Sequence, residues 1–168
     1  MESDLNGVLQ GKNILIGITG GIAAYKIPIL VRLFKKNGAN VKIVSTFSAL
    51  NFVSKLSLAT LSENPVFVDF FNEKSGEWTN HVELGAWADL FVIAPLTANS
   101  LSKMTTGQAN NLLLATYLSA KCKVMVAPAM DLDMYAHPST KMNLSTLEGF
   151  GVHVIPAEYG FLASGLSG

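Results

Sequence analysis

Short apolar runs and amphipathic stretches alternate along this chain. Five runs are nearly continuous in apolar residues and rich in Ile and Val. They occupy Asn13 to Ile18, Val41 to Ser45, Leu90 to Ala94, Val124 to Ala127 and Val152 to Ile155. Runs of this length and composition predict strands that are buried on both faces, as in a parallel sheet.

Helical spacing separates these runs. In the clearest case Ile27, Leu30, Val31 and Phe34 are three or four positions apart, and Gly38 stands where a C-terminal cap is expected. Further helices are predicted at Asn80 to Ala88, Asn110 to Ala120 and Ser139 to Phe150, and a polar surface loop at Phe67 to Thr79. The alternation predicts an α/β fold of right-handed βαβ units. This is a three-layer sandwich in which helices flank a Rossmann-like parallel sheet.

The composition indicates one domain with a sizeable core. The chain has 168 residues, of which 49% are hydrophobic, and we expect residues 1–11 to be an N-terminal tail and residues 12–168 the domain. The formal net charge is zero, which argues against a nucleic-acid-binding surface. Only 14% of the residues are charged, against about 25% in an average soluble domain. We therefore expect part of the surface to be buried against other subunits.

Three features favour a cytoplasmic protein. No apolar run reaches the roughly 18 residues of a membrane span, because Lys26, Arg32 and Lys35 interrupt the longest candidate. The start, Met1 to Asp4, is acidic and polar, unlike a signal peptide. The single cysteine, Cys122, excludes an internal disulfide and fits a reducing compartment.

A glycine turn joins the first predicted strand to the first predicted helix. Within Gly17 to Lys26, the Thr19-Gly20-Gly21 turn lets backbone N–H groups approach an anion at a helix N-terminus. The spacing is not that of a dinucleotide motif, and Ser45 and Thr46 stand where a ribose-binding acidic residue would be expected. No nucleoside triphosphate loop is present, so a mononucleotide is the remaining ligand. A tight connection that binds nothing is the alternative.

Polar loops follow all five predicted strands. They are Thr19 to Gly21, Ser45 to Ser48, Pro95 to Asn99, Pro128 to Asp131, and Glu158 to Gly168. Because the carboxyl ends of parallel strands lie at one edge of a sheet, we expect these loops to converge there and form the ligand site.

Four motifs carry a family resemblance. They are residues 17–26 (GITGGIAAYK), 81–84 (HVEL), 94–99 (APLTAN) and 127–135 (APAMDLDMY). Together they resemble the flavin-dependent cysteine decarboxylases, most closely the N-terminal decarboxylase half of the bacterial bifunctional phosphopantothenoylcysteine decarboxylase/phosphopantothenate-cysteine ligase. The similarity covers nearly the whole chain from about Lys12 onward. Because that family continues further, we expect this sequence to be truncated from a longer chain.

The resemblance implies FMN, bound between subunits of a homotrimer or a larger trimer-based assembly, and a small-molecule substrate. The implied reaction is FMN-dependent decarboxylation of 4'-phospho-N-pantothenoylcysteine to 4'-phosphopantetheine in coenzyme A biosynthesis. In this family the flavin oxidises the thiol side of the substrate to a thioaldehyde. Decarboxylation then leaves an ene-thiolate, which is protonated and reduced by the same flavin. No membrane, nucleic-acid or metal partner is expected.

Site residues follow from the motifs and the resemblance together. Asn80 and Glu83 have the spacing of a capping box, which puts His81 in the first turn of a helix and favours a neutral ring. By resemblance His81 is the catalytic histidine, with Asp131 and Ser164 as further catalytic residues. A histidine that merely packs at a helix start is the alternative. The expected cofactor-binding residues are Thr19, Gly20, Gly21, Ile22, Ser45, Thr46, Ser48, Phe52, Pro95, Thr97, Ala98 and Asn99. The expected substrate-binding residues are Asn80, Ala129, Met130, Asp131 and Met134.

Two positions depart from the family pattern. Asp131 stands where the family has an asparagine that holds the substrate carboxylate, and an ionised Asp131 would repel that group unless it were protonated or paired with a cation. Ser164 stands where the family has a cysteine that protonates the ene-thiolate, and a hydroxyl is a far weaker acid than a thiol.

These departures leave three outcomes open, of which we expect the first. The chain is a working decarboxylase with an adjusted site, an enzyme that releases the ene-thiol halfway, or a catalytically impaired flavin-binding regulatory or structural subunit. A flavin-dependent decarboxylase of peptidyl cysteine is a further alternative.

Overall fold

The fold is built on one parallel sheet. The structure is a computed structural model and describes residues 7–160 and residue 165. The strands of this part of the chain are β1 (Asn13–Ile18), β2 (Asn40–Ser45), β3 (Val66–Phe67), β4 (Leu90–Leu96), β5 (Lys123–Pro128) and β6 (His153–Val154). Every pairing is parallel, and the strand order is β3-β2-β1-β4-β5-β6. The switch point of the sheet therefore lies between β1 and β4, where proteins of this topology bind ligands.

Helices connect the strands. They are α1 (Ile27–Lys36), α2 (Lys55–Ser62), α3 (His81–Trp87), α4 (Ala98–Thr105), α5 (Leu112–Ser119), α6 (Leu132–Ala136) and α7 (Pro138–Gly149), with 3-10 helices at Ile22–Lys26 and Phe47–Asn51. The predicted helices correspond to α1, α3, α5 and α7 and are confirmed to within two residues at each end. Within the described ranges, none of the helices has the length and hydropathy needed to cross a bilayer.

Two apolar layers lie on opposite faces of the sheet, which confirms the three-layer sandwich. In β1, Ile14 and Ile16 belong to the layer that contains Val31 of α1, and Leu15 belongs to the layer that contains Leu113 of α5. The three β1 side chains are at most 2% exposed. Burial on both faces explains why such a strand has a continuous apolar run and no alternation.

Three short elements are missing from the sequence-based prediction. Strand β3 has only two residues, and its second one, Phe67, was expected to begin the surface loop. Helix α2 buries only Leu58 and Ser62, and α6 has five residues with none buried. Elements this short have no apolar stripe from which they could be predicted. Their conformation depends on end-capping and on contacts with the surrounding chain.

Residues 7–11 lie against the carboxyl end of α1. The Leu9 amide donates to the Asn37 carbonyl oxygen at 3.1 Å, and the Gly11 amide donates to that of Gly38 at 3.0 Å. Leu9 also packs against the layer under α1. Gly38 has a φ of 87° and ends α1 in the left-handed conformation, as predicted.

Helices α3 and α5 pack closely at Gly85, and this contact generates a prediction. A Cβ atom at Gly85 would lie 3.0 Å from the Ser119 carbonyl oxygen and 3.1 Å from the Ala120 nitrogen, both backbone atoms. We expect Gly85→Ala to lower the free energy of unfolding by about 1–3 kcal/mol, because the helices must separate. Urea unfolding measures the change. The control is Gly149→Ala, where a Cβ would meet nothing within 4 Å; equal losses in both variants would contradict the packing explanation.

Candidate active site

A large open cavity lies at the carboxyl edge of the sheet. Its volume is about 1410 Å³, and its walls come from the segments after β1, β2, β4 and β5 together with residues 157–159 and 165. The structure thus brings together the loops that the sequence expects to converge. Typical small-molecule pockets measure about 300–1,000 Å³, so this cavity has room for more than one ligand.

Most of the predicted site residues line this cavity. They are Gly20, Gly21, Ile22, Thr46, Ser48, Thr97, Ala98, Asn99, Ala129, Met130, Asp131 and Met134. The predicted residues that the structure leaves out of the wall are Thr19, Ser45, Phe52, Asn80, His81 and Pro95. Ser164 lies outside the described residues.

The glycine turn presents unbonded backbone N–H groups to the cavity. In the described part of the chain the amides of Gly20, Ile22 and Ala23 donate no hydrogen bond, and all three residues line the cavity. The Gly21 amide is committed to the Thr19 carbonyl oxygen at 2.9 Å. Successive free N–H groups of this kind favour an anion.

The start of α4 presents a second set of N–H groups across the cavity. Thr97 is the N-cap, and its hydroxyl accepts the Ser100 amide at 3.3 Å. The Ala98 and Asn99 amides have no acceptor among residues 7–160. The cavity is therefore bordered on two sides by groups that complement a phosphate.

Gly20 leaves no room for a side chain. A Cβ atom there would collide with the Ser48 side chain, coming within 2.7 Å of the Ser48 Cβ. A Cβ at Gly21 would lie 3.3 Å from the Thr97 Cγ2. The two glycines therefore allow the loops after β1, β2 and β4 to come together around the cavity.

Thr19 holds two of these loops together from behind the wall. It is fully buried, and its hydroxyl donates to the Pro95 carbonyl oxygen at 2.6 Å and accepts the Thr97 amide at 3.0 Å. Its polar atoms are thus used within the protein. We correct the expected cofactor contact of Thr19 to a positioning role, and Pro95 takes part in the same contact.

The loop after β2 differs in detail from the expectation. Ser45 is 1% exposed and donates its hydroxyl to the Thr46 carbonyl oxygen, so it lies behind the wall. Thr46 and Ser48 line the cavity with their hydroxyl oxygens 3.1 Å apart. The aromatic residue that this loop contributes to the wall is Phe47, not Phe52. Its position directly after the strand was the available signal, because residues there point toward the carboxyl edge.

Charged side chains in the wall escaped the sequence-based prediction. Lys26, Lys103 and Lys141 line the cavity, as does the acidic Glu158. Lys103 and Lys141 lie on helices, and no motif distinguishes them from ordinary surface residues. Lys26 ends the motif at residues 17–26 and Glu158 begins the last polar loop, but neither was singled out as a site residue. Asp131 is exposed, and among the described residues its carboxylate has no hydrogen bond and no ion-pair partner.

His81 begins α3 and is held between two aromatic rings. The Asn80 side chain caps the helix by accepting the Val82 amide at 3.0 Å and the Glu83 amide at 3.2 Å, which confirms the predicted cap. Phe70 and Trp78 meet the imidazole edge to face, with ring centroids 6.1 and 6.2 Å away. The His81 Nδ1 is buried without a hydrogen-bond partner in the described residues. Such an atom needs an explanation, since buried polar atoms are normally paired.

The remaining histidines and the cysteine have structural surroundings. The His137 Nδ1 accepts the Ser139 amide at 3.2 Å and so caps α7, and His153 lies in β6. Cys122 is half-buried against the layer under α5, and burial raises the pKa of its thiol.

The comparison with known families decides the relationship. Residues 2–165 match the family described as Flavoprotein. The chain belongs to this family. The match extends over the parallel sheet, the helices on both of its faces and the cavity at the switch point.

Two curated relatives and two solved structures are similar to this flavoprotein. The bifunctional coenzyme A biosynthesis protein CoaBC of Bacillus subtilis is 40% identical over 96% of this chain. A cysteine/cysteine sulfinic acid decarboxylase from an unknown prokaryotic organism is 55% identical over 69% of it. The chain spans only 40% and 32% of the lengths of these relatives.

Both solved structures have folds close to that of this chain. A PPC decarboxylase C175S mutant complexed with pantothenoylaminoethenethiol has a TM-score of 0.84 and 35% identity, covering 95% of this chain and 89% of its own. The FMN binding protein AtHal3 has a TM-score of 0.80 and 34% identity, covering 92% of this chain and 85% of its own.

The Thr19 contact of this flavoprotein can be tested directly. Thr19→Val keeps the shape of the side chain but removes the hydroxyl, which leaves the Thr97 amide without its acceptor. We expect the free energy of unfolding to fall by about 1–3 kcal/mol, as measured by urea unfolding of the cofactor-free protein. Thr19→Ser, which retains the hydroxyl, is the control. If the serine variant loses as much stability as the valine variant, the hydrogen bonds are not the cause.

Proposed function

We propose that this domain binds FMN and decarboxylates 4'-phospho-N-pantothenoylcysteine to 4'-phosphopantetheine, a cytoplasmic step of coenzyme A biosynthesis. The observation that carries the proposal is the cavity at the switch point of a flavoprotein, bordered by the glycine turn and the start of α4. Similarity to CoaBC and to a PPC decarboxylase structure supports the substrate. The alternatives of a peptidyl-cysteine decarboxylase or a subunit without turnover have no comparable support.

The residues of the cavity fit FMN. The free amides of Gly20, Ile22 and Ala23 suit its phosphate, and a Cβ at Gly20 would fill the space beside them. The Ser48 hydroxyl adds a further donor, and Phe47 offers an apolar surface to the ring system. When bound, FMN supplies the two-electron chemistry that a reversible oxidation at the substrate sulfur needs.

The cavity lysines suit the anionic groups of this substrate. Lys26, Lys103 and Lys141 come from the 3-10 helix after β1, from α4 and from α7, so they place positive charge on separate parts of the wall. The substrate carries a phosphate at one end and a carboxylate at the other. We assign the lysines to neutralising these groups, since an ammonium is a common partner of both.

His81 does not line the cavity of its own chain, and we propose that a second copy brings it there. Its buried, unpartnered Nδ1 is explained if the ring completes a site at an interface between chains. At the edge of such a site a neutral imidazole accepts or returns a proton of the substrate. Asn80 would hold the imidazole in place through its cap on α3.

Exposed apolar side chains support this interface. Ile22 and Tyr25 at the cavity rim are 53% and 56% exposed in one copy. Around His81, Phe71, Trp78 and Val82 are 56%, 58% and 48% exposed. Joining the rim of one copy to the His81 region of the next buries both patches. A head-to-tail contact of this kind closes into a ring, and a homotrimer is the form that we propose.

A second candidate substrate follows from Asp131. The curated relative that is 55% identical over part of the chain has cysteine and cysteine sulfinic acid in its name. Free cysteine carries an α-ammonium group, which N-acylated cysteine lacks, and an unpaired carboxylate in the wall complements such a cation.

The product of the reaction tests the proposed function. We expect the purified protein to have the yellow absorption of FMN and to convert 4'-phospho-N-pantothenoylcysteine into a product lighter by carbon dioxide, seen by mass spectrometry. His81→Asn should retain FMN but lose turnover. Unchanged substrate at saturating FMN would discard the decarboxylase proposal.

The same assay decides what Ser164 permits. A complete reaction yields 4'-phosphopantetheine and returns the flavin to its oxidised form. A product lighter by two further hydrogens, with the flavin left reduced, would show that the protein stops at the ene-thiol, because a serine hydroxyl is a poor proton donor. We expect the complete reaction.

Complementation between two inactive variants tests the shared site. Gly20→Ala should lose FMN, because its Cβ collides with Ser48, and His81→Asn should lose turnover. When the two variants are co-expressed and assemble at random, about a quarter of the sites combine an intact cavity with an intact histidine from the neighbouring copy. Activity should then return to about a quarter of the wild-type value. Activity that never exceeds that of the separate variants, in assemblies shown by mass to be mixed, would mean that His81 serves its own chain.

A further inference from the structure

Asp131 occupies a helix-capping position without capping the helix. The N-cap side chains of α2, α3, α4 and α5 each accept a backbone amide of their own helix. Asp131 is the N-cap of α6, yet its carboxylate accepts no amide there. Capping is the usual use of an aspartate at this position. The carboxylate of Asp131 is therefore left free for another partner.

The backbone holds Asp131 firmly in the cavity wall. The Ala129 amide donates to the Leu96 carbonyl oxygen at 3.0 Å, and the Asp131 carbonyl oxygen accepts the Tyr135 amide at 2.9 Å. Asp131 is thus fixed between β5 and α6. Glu158, another acidic residue of the wall, lies on a segment without regular structure.

No cation of the described chain neutralises this carboxylate. Three lysines line the same cavity, but the only ion pair among the described residues joins Lys35 to Glu63 at 2.7 Å. An ionised carboxylate only accepts hydrogen bonds, and its strongest partners are cationic donors. The carboxylate of Asp131 is therefore available to a cationic group of a ligand in the cavity.

We propose that Asp131 binds the free α-ammonium group of cysteine-type amino acids, which adds this class of substrate to the N-acylated cysteine proposed above. The inference rests on the proposed decarboxylase function. In cysteine the ammonium and the carboxylate are attached to the same carbon. The Asp131 carboxylate attracts the ammonium and repels the cysteine carboxylate, and it therefore orients the substrate. The cavity lysines offer the opposite charge to the substrate carboxylate.

The corresponding reaction is balanced without an added reductant or oxidant. The bond between the α-carbon and the carboxyl carbon breaks, and carbon dioxide leaves. The α-carbon gains one proton from solvent, and the product is 2-aminoethanethiol. Bound FMN would supply reversible two-electron chemistry at the sulfur side of the substrate, with no net change in oxidation state.

A binding experiment on the FMN-loaded protein separates this role from turnover. All proteins compared also carry His81→Asn, which should retain FMN without consuming cysteine, and His81→Asn alone serves as the wild type at position 131. The ligands are L-cysteine and 3-sulfanylpropanoate, which has the same skeleton without the ammonium, and calorimetry or the flavin spectrum reports binding. We expect this wild type to bind cysteine about tenfold more tightly than 3-sulfanylpropanoate. In Asp131→Asn this preference should disappear, because the amide removes the charge and keeps the shape.

Asp133→Asn is the matched control. Asp133 lies in the same short helix, is exposed and does not line the cavity, so its substitution should leave the preference intact. Loss of the preference in Glu158→Gln and not in Asp131→Asn would overturn the assignment. So would a wild type that binds both ligands equally.

Turnover distinguishes failure of the inference from failure of the proposed function. The wild type should release 2-aminoethanethiol from cysteine. Asp131→Asn should lower kcat/KM for cysteine about tenfold and raise kcat/KM for 4'-phospho-N-pantothenoylcysteine, because the amide no longer repels the carboxylate of that substrate. Turnover of the N-acylated substrate alone would refute the inference and keep the proposed function. Absence of decarboxylation with every substrate would remove both.

Discussion

The site depends on one buried hydroxyl. Thr19 directly follows β1 and precedes the two glycines of the turn. Its hydroxyl donates to the Pro95 carbonyl oxygen and accepts the Thr97 amide at the end of β4. The first bond is buried and the second is partly buried, so both are costly to leave unmade. They fix the distance between the glycine turn and α4. The free amides on either side of the cavity consequently face the same space.

Polar groups in this protein divide into two classes. Those that support the fold are paired within the chain, as Ser45, Asn80, Thr97 and Asn111 show. Two polar groups of the candidate site have no partner among the described residues: the exposed Asp131 carboxylate and the buried His81 Nδ1. Under the proposed function, a ligand would pair with the first, and a second copy of the chain would complete the site around the second.

If His81 acts at the cavity, as we propose, one copy of the chain does not contain the whole site. The cavity contains the unbonded amides, the lysines and Asp131, whereas His81 begins a helix outside the cavity wall. The proposed interface would also account for the low proportion of charged residues and for the exposed aromatic side chains near His81. A site shared between copies would tie catalysis to assembly, since neither half has the full set of groups.

The sequence alone determined the layers of the fold. The apolar runs predicted five of the strands, because a strand that is buried on both faces is apolar along its whole length. The helical spacing predicted α1, α3, α5 and α7, because a helix that packs on the sheet has apolar residues three or four positions apart. The cap at Asn80 was equally readable, since capping is a local interaction. The glycine turn and the convergence of the loops followed from topology.

Only the tertiary structure decided how each residue of the loops is used. Thr19 and Ser45 were expected to face a ligand, but both are buried, whereas Phe47 and the lysines of α4 and α7 reach the cavity. Short elements such as β3 and α6 were not readable at all. The physical reason is the same in each case: a side chain's direction in a loop depends on contacts between segments far apart in the chain, and these contacts have no period in the sequence.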